Sequence, residues 1–256
     1  MDGKSSDGPI RTNSANCLDA FAATTPESPD EFERFLLDRS TEIRRACQSL
    51  YASQFADSPA GFYRKAVEGA NPKKLEVAIR GLSETGAKED RSVVRGLLAN
   101  RSARVRRASI QALGRFGTEG EEKVLLQIVT SDTRSVARDA AEVLLRVRAV
   151  AADTIWSSAT TNPNQFVPIT VIRLFKSASK WQQIEIYLQA AMSQERGLSE
   201  CAVGMVSSLI QRFNRSFAQP SGTELEVAST LLETASSRLP VSVRTELGFL
   251  LKTITN

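Results

Sequence analysis

The feature that most constrains the fold is an internal repeat. Shifting the sequence by 62 residues aligns DRSTEIRRACQSLY (38–51) with NRSARVRRASIQAL (100–113). Half of that shift, 31 residues, aligns LEVAIRGLSETG (75–86) with RRASIQALGRFG (106–117). A unit of this length cannot bury an apolar core alone, so successive units are expected to stack on one another.

Each unit is predicted to be a pair of short helices. In residues 101–117 the apolar and small residues recur at helical spacing, and Gly117 follows them as a stop signal. The same pattern predicts seven hairpins: 29–38 with 41–55, 59–69 with 72–85, 88–99 with 102–116, 119–130 with 133–149, 151–159 with 163–178, 180–193 with 197–213, and 223–236 with 240–254. The sequence therefore predicts an all-α fold in which about seven helical hairpins form an α-solenoid.

The segment RSARVRRASIQALGRFG (101–117) resembles a HEAT repeat of the short type that is also found in bilin (phycobilisome) lyases. The second helix of such repeats runs from Asp through Val-Arg, Ala and Ala-Leu-Gly to a final Gly. The resemblance covers residues 38–51 and 71–148, and beyond residue 150 only the helical rhythm and Pro168 continue it. It implies a superhelix of the armadillo and HEAT type, a fold that is reused for many functions.

Composition divides the chain into two parts. Residues 1–28 are rich in Ser, Thr, Asn, Asp, Gly and Pro, which predicts a flexible N-terminal tail before a solenoid over 29–256. Within the tail, CLDAFAA (17–23) is short and apolar, and it either packs on the first repeat or docks on another protein. No apolar run could span a bilayer and no secretory signal begins the sequence, so we expect a cytoplasmic protein that does not bind membranes.

The absence of histidine excludes many enzyme classes. Without it the chain lacks the usual general base, the Ser-His and Cys-His nucleophile pairs and the commonest zinc ligand. The three cysteines, Cys17, Cys47 and Cys201, are odd in number and widely spaced, which fits reduced thiols rather than a disulfide framework or a metal site. We therefore expect no metal and no cofactor, and we assign no catalytic residue.

Some arginines are expected to serve the fold. In repeats of this family, the arginine near the conserved valine usually reaches an aspartate or asparagine of a neighbouring unit. The resemblance thus implies a structural ladder whose members recur in register, formed by Asp38, Arg45, Asn100, Arg107, Asp132 and Arg138. A guanidinium suits this role because it presents a fixed fork of donors.

Other arginines do not recur and are candidates for binding. Between Asp90 and Glu119 there are seven arginines and no acidic residue. If second helices line the concave surface, a basic patch for a partner is predicted there from Arg101, Arg104, Gln111, Arg115 and Arg134. The alternative is that these side chains form an ordinary solvated helix face.

These observations favour a non-enzymatic scaffold or adaptor that holds a protein partner, with an acidic segment of it on the concave face. Three alternatives stay open. One is a nucleic-acid-binding solenoid, with a base-excision enzyme similar to alkylpurine glycosylases as its catalytic form; Trp156 or Trp181 would hold the base and Asp153 or Glu185 would stabilise the sugar cation. The second is transfer of a bilin to a client, and the third is a structural subunit that docks through its last hairpin.

Overall fold

The structure is a computed structural model. It describes residues 29–55, 58–69, 71–213 and 219–255. Over these ranges all regular secondary structure is helical, so the predicted all-α fold is confirmed. No helix within them is long and apolar enough to cross a membrane. The predicted tail over 1–28, including Cys17, lies outside the described residues.

The helices belong to two compact units that meet in the sequence between Phe116 and Gly117. Six α-helices of the first unit are described: α1 (Pro29–Leu36), α2 (Thr41–Phe55), α3 (Ala60–Ala66), α4 (Pro72–Thr85), α5 (Arg91–Gly96) and α6 (Ala103–Phe116). Eight are described in the second: α7 (Glu122–Ser131), α8 (Arg134–Val147), α9 (Ala152–Thr160), α10 (Phe166–Val171), α11 (Lys180–Ala191), α12 (Arg196–Gln211), α13 (Gly222–Ala235) and α14 (Val241–Thr255). They pair as the seven predicted hairpins.

The first unit is a stack of three hairpins. Helices α1 and α2, α3 and α4, and α5 and α6 pack as pairs, and the second helices pack on one another, α2 on α4 and α4 on α6. The apolar stripe of α6 explains this order, because Val105, Ile110 and Leu113 are fully buried. Stacking second helix on second helix is the arrangement expected of a HEAT-type solenoid.

The second unit repeats the same order over four hairpins. The two helices of each hairpin pack together, and each helix also packs on the equivalent helix of the next hairpin. Helices α13 and α14 form the last pair. First helices α7, α9, α11 and α13 form one layer, and second helices α8, α10, α12 and α14 form the other. The apolar core lies between these layers, with residues such as Leu144, Ile155 and Phe175 fully buried.

Five of the hairpin turns contain the same local hydrogen bond. At about 31-residue spacing, a polar side chain accepts a hydrogen bond from the backbone N–H two residues later. The acceptors are Asp38, Asn71, Asn100, Asn162 and Ser193, with N–H to oxygen distances of 2.7 to 3.1 Å. This recurrence gives the sequence repeat a local physical cause, since each such bond orders the turn that leads into a second helix.

Two predicted helices differ in detail from the observed ones. The segment predicted as one helix over 88–99 consists of α5 flanked by the 3₁₀ turns Lys88–Asp90 and Leu97–Ala99. The segment predicted over 163–178 is α10 followed by a 3₁₀ helix, Ile172–Ser177. Pro168 lies near the start of α10, where its missing N–H leaves no helical bond unmade.

Candidate functional site

The main candidate site is a basic groove of about 830 Å³ in the second unit. We call it the arginine groove, and its lining comprises Thr133, Arg134, Ser135, Arg138, Asn164, Thr170, Arg173 and Leu174. These residues come from α8, α10, the turns that precede these two helices and the 3₁₀ helix that follows α10. The groove therefore lies where two neighbouring second helices pack together.

Helix geometry brings the three guanidinium groups into this groove. Arg134 and Arg138 are one helical turn apart on α8, so they lie on the same side of the helix. Arg173 reaches the groove from the 3₁₀ helix that follows α10. Nε of Arg134 donates a hydrogen bond to Oγ1 of Thr170 at 2.7 Å, which ties the two walls together.

The arginine groove is electrostatically one-sided. Its lining contains three arginines and no carboxylate among the described residues. An acidic neighbour, Glu142, lies one turn along α8, where its Oε2 is 3.4 Å from Nη2 of Arg138 in an exposed pair. Three solvent-accessible guanidinium groups around a depression attract anions, and each can bind a carboxylate through two parallel hydrogen bonds.

A second depression lies on the other side of α10. We call it the Trp156 pocket; its volume is about 400 Å³, and its lining comprises Trp156, Thr160, Asn162, Pro163, Gln165, Pro168, Gln189, Ala190, Ser193, Glu195 and Leu198. Between the groove and the pocket, Phe166 at the start of α10 has 51% of its surface exposed. An aromatic ring this exposed is available for contact with a partner.

The basic patch predicted in residues 101–115 lies in the first unit. Arg101, Arg104 and Arg115 are exposed and Gln111 is half-buried. Arg104 and Arg115 lie about 16 Å apart along α6, given a rise of about 1.5 Å per residue. Nη1 of Arg115 donates to Oγ of Ser83 at 3.2 Å. Arg104, Gln111 and Arg115 lie in a row along one side of α6, and Arg101 precedes the helix.

Arg134, the fifth residue of that predicted patch, belongs to the second unit. Its neighbours there are Arg138 and Arg173 in the arginine groove. The structure thus groups Arg134 with one residue that the sequence assigned to the structural ladder and with one that the sequence did not single out.

In the first hairpin, the bonds expected of Arg45 are made by Arg44. Nη1 of Arg44 donates to the backbone oxygen of Asp38 at 2.9 Å, and the guanidinium also forms two bonds to the carboxylate of Glu84 on α4. Arg44 points inward because it shares a helix face with the buried Cys47. Arg44 therefore links α2 to the neighbouring hairpin, and the role of Arg45 in the ladder stays a prediction.

The third hairpin repeats this arrangement. Nη1 of Arg106 donates to the backbone oxygen of Asn100 at 2.8 Å. In the fourth hairpin the geometry differs, because Arg138 is exposed, lines the arginine groove and pairs with Glu142. Asp132, its expected partner, accepts from Asn162 through its backbone oxygen at 3.1 Å.

The two tryptophans considered for base excision are packed in the core. Trp156 packs edge-on against Phe175 and Trp181 against Phe213, and each tryptophan has only 5% of its surface exposed. Neither ring therefore presents a free face on which a base could stack. Burial, with smaller contributions from Asp153 and Glu224, raises the pKa of Glu185.

Cys47 is not set up as a nucleophile. Burial raises the pKa of the Cys47 thiol to about 12, so the thiol stays protonated at neutral pH. Cys201 is half-buried on α12. Among the described residues, no group of three carboxylate or thiol side chains comes together to hold a metal ion.

Sequence reasoning missed Arg173 and Phe166. Both lie beyond residue 150, where the repeat signal fades, so no register could separate variable positions from recurring ones. One signal was present: Phe166, Thr170 and Arg173 are spaced by four and three residues, which places them along one helix face. That face carries an aromatic and a cation in a stretch without acidic residues.

Comparison with protein families agrees with this architecture. Residues 62–146 match the family model for HEAT repeats. No curated protein shows significant similarity to the chain. The matched segment begins within α3 and ends in the last turn of α8. Over residues 62–146, therefore, the chain is built of HEAT repeats.

Proposed function

We propose that this protein is a non-enzymatic scaffold or adaptor that holds an acidic segment of a protein partner. Repeat proteins of this kind generally use the extended surface of their stacked helices to bind other macromolecules. The observation that carries the proposal is the arginine groove, in which Arg134, Arg138 and Arg173 surround one depression. Aspartate and glutamate side chains match these guanidinium groups in charge and in bidentate geometry.

A short acidic peptide fits the second unit better than a nucleic acid does. Residues 117–256 contain 14 basic and 14 acidic side chains, so the unit that contains the groove has no net positive charge. Phosphate backbones are bound by many aligned lysines and arginines, and a three-arginine depression in a neutral unit offers few such contacts. Three arginines are enough to pair with a ligand that carries two or three carboxylates.

The exposed row in the first unit is proposed as an additional contact surface. Arg101, Arg104, Gln111 and Arg115 would extend the attraction for acidic residues along α6, where three of the four are exposed. Because these charges lie in an exposed row along one helix, we expect them to attract acidic residues electrostatically rather than to select one ligand.

The test is fluorescence anisotropy with a labelled peptide of four glutamates separated by single serines. The wild-type protein should bind it, and Arg134→Glu combined with Arg173→Glu should abolish binding while helix content and melting stay unchanged. The matched control is Arg146→Glu combined with Arg244→Glu, which reverses two exposed arginines of the second unit outside the groove. Equal loss in the control would mean that binding follows overall charge, and no loss in the groove variant would refute the proposed site.

Two further measurements separate the remaining readings. Arg104→Glu with Arg115→Glu tests the α6 row, and unchanged peptide binding would remove that row from the proposal. Fluorescent double- and single-stranded DNA at two salt concentrations tests the alternative. Tight DNA binding that weakens steeply with salt would favour a nucleic-acid ligand over a protein one.

A further inference from the structure

The arginine groove and the Trp156 pocket flank the same helix. Asn164, Thr170 and Leu174 face the groove, whereas Gln165 and Pro168 face the pocket, so α10 and the turn before it form a wall of each. Neighbouring packed helices lie about 8–10 Å apart, and grooves on the two sides of one helix are separated by the same distance. One extended ligand can therefore occupy both.

The Trp156 pocket differs in character from the groove. Trp156, Pro168, Ala190 and Leu198 are buried and form an apolar floor. The rim is polar and includes the exposed carboxylate of Glu195. An apolar floor under a polar rim fits one apolar side chain of a ligand, and the volume of about 400 Å³ is enough for a leucine or phenylalanine.

Phe166 supplies a third contact at the boundary between the two. Its ring is half exposed at the start of α10, and Thr170 and Arg173 follow it on the same helix face. Exposed aromatic and arginine side chains are the residue types that contribute most to protein interfaces. A ligand that crosses α10 would cover this ring.

We propose that the partner segment carries an apolar anchor residue about three positions from its acidic residues, and that this anchor enters the Trp156 pocket. This inference rests on the proposed function, since the acidic residues are those bound by the arginine groove. The spacing follows from the groove separation, because an extended chain advances about 3.3 Å per residue. Glu195 at the rim repels carboxylates, so it directs the acidic residues to the groove and the apolar residue to the pocket.

The experiment compares labelled peptides in the same anisotropy assay with the full chain. One is the glutamate–serine peptide described above; two others carry a leucine three residues before its first glutamate or three residues after its last. The leucine peptide whose chain direction places its leucine at the Trp156 pocket should bind roughly tenfold more tightly than the parent. Burial of a leucine side chain favours binding by about that factor or more. Replacing the leucine with serine should restore the parent affinity.

Protein variants then assign the gain to the pocket. Thr160→Phe narrows the rim at an exposed position, and Phe166→Ala removes the ring over α10. Both should lower the affinity of the leucine peptide severalfold; Thr160→Phe should leave that of the parent peptide unchanged, whereas Phe166→Ala should lower it to a smaller extent. Because both positions are exposed, these variants are expected to fold, and the peptide comparison holds for the wild-type protein in any case.

The outcomes are distinguishable. If the parent peptide binds but neither leucine peptide binds more tightly, the anchor inference is wrong and the proposed function stands. If none of the peptides binds, both are overturned. If Thr160→Phe leaves the gain from leucine intact, the anchor does not occupy the Trp156 pocket, and the inference also fails.

Discussion

The guanidinium of Arg44 and the carboxylate of Glu84 form a buried bidentate ion pair that joins α2 to α4. Nη2 lies 2.6 Å and Nε 3.1 Å from the two carboxylate oxygens, and the exposed fractions of the side chains are 1% and 4%. Gln48 donates a further hydrogen bond to the same carboxylate at 3.0 Å. Every strong acceptor and donor of the pair is thus engaged within the first unit.

Removing one partner of this pair should be costly. Glu84→Ala leaves the Arg44 charge buried without its counterion, and we expect the free energy of unfolding to fall by about 3–5 kcal/mol. Urea denaturation followed by circular dichroism measures it. The control is Glu76→Ala, which breaks the more exposed pair with Arg80 and should cost less than about 1 kcal/mol. Similar losses for both variants would show that the buried pair has no special weight.

Gly81 on α4 should not tolerate a side chain. A Cβ at this position would collide with the ring of Tyr63, which is fully buried. Gly81→Ala should therefore destabilise the protein by roughly 1–3 kcal/mol, although alanine favours helices. Gly204→Ala, in the middle of α12 with open space around it, should instead stabilise by up to about 1 kcal/mol. Thermal melts of the two variants should shift in opposite directions.

The contribution of Asp90 to stability should depend on pH. Hydrogen bonds from the Arg64 guanidinium, joined by one from the backbone N–H of Ala87, hold the pKa of Asp90 below its usual value. The folded protein thus binds this proton less readily than the unfolded chain. The stabilisation is complete above a pH of about 4 and is lost as the pH falls through the folded pKa.

Asp90→Asn tests that dependence. At pH 7 the variant should be less stable by about 1–2 kcal/mol, because a charged acceptor of the Arg64 fork is lost. The gap in melting temperature between wild type and variant should narrow as the pH is lowered from 5 towards 3. A gap that stays constant over this range would mean that the Asp90 charge contributes nothing.

Two buried tyrosines should respond differently to loss of the hydroxyl. Oη of Tyr187 has no hydrogen-bond partner among the described residues, and burial raises its pKa to about 12. Tyr187→Phe should leave stability unchanged or raise it by about 1 kcal/mol. Oη of Tyr63 donates to the backbone oxygen of Leu36 and accepts from Gln48. Tyr63→Phe should cost about 1–2 kcal/mol, and chemical denaturation would show whether the two changes differ in sign.

Glu142 should weaken the binding of acidic ligands. Its pairing with Arg138 competes with a ligand carboxylate for that guanidinium. Glu142→Gln should therefore tighten binding of the glutamate–serine peptide about twofold to threefold. Glu200→Gln is the matched control, because Glu200 forms the same i,i+4 pair with Arg196 outside the groove. A gain in the control as large as that in Glu142→Gln would attribute the effect to net charge.

The hairpin order was predictable because it depends on features that recur. Helical spacing of apolar residues and a polar residue at each turn mark every repeat, and the seven predicted pairs correspond to the observed ones. The sequence alone does not show which arginine links neighbouring repeats, because two arginines stand side by side at 44–45 and at 106–107. Only the burial of the Arg44 face of α2, shared with Cys47 and Tyr51, distinguishes them.

The candidate site was predictable only in part. Arg134 was identified because it does not recur, but Arg138 was assigned to the ladder on register alone. Arg173 and Phe166 depend on α10, which is short and continues as a 3₁₀ helix, so their positions follow from tertiary packing rather than from periodicity. A groove between second helices is a property of two repeats at once, and a single repeat does not encode it.

The turn over 162–165 contributes residues to both depressions. Asn162 is buried and anchored to the end of α7 through bonds from its side-chain nitrogen to the backbone oxygens of Val129 and Asp132. Asn162 also lines the Trp156 pocket, and Asn164, two residues later, lines the arginine groove. The two depressions therefore share one wall segment, and the bonds of Asn162 hold that segment against the preceding hairpin. Redesign of specificity at one of them will have to preserve Asn162 to keep the other in place.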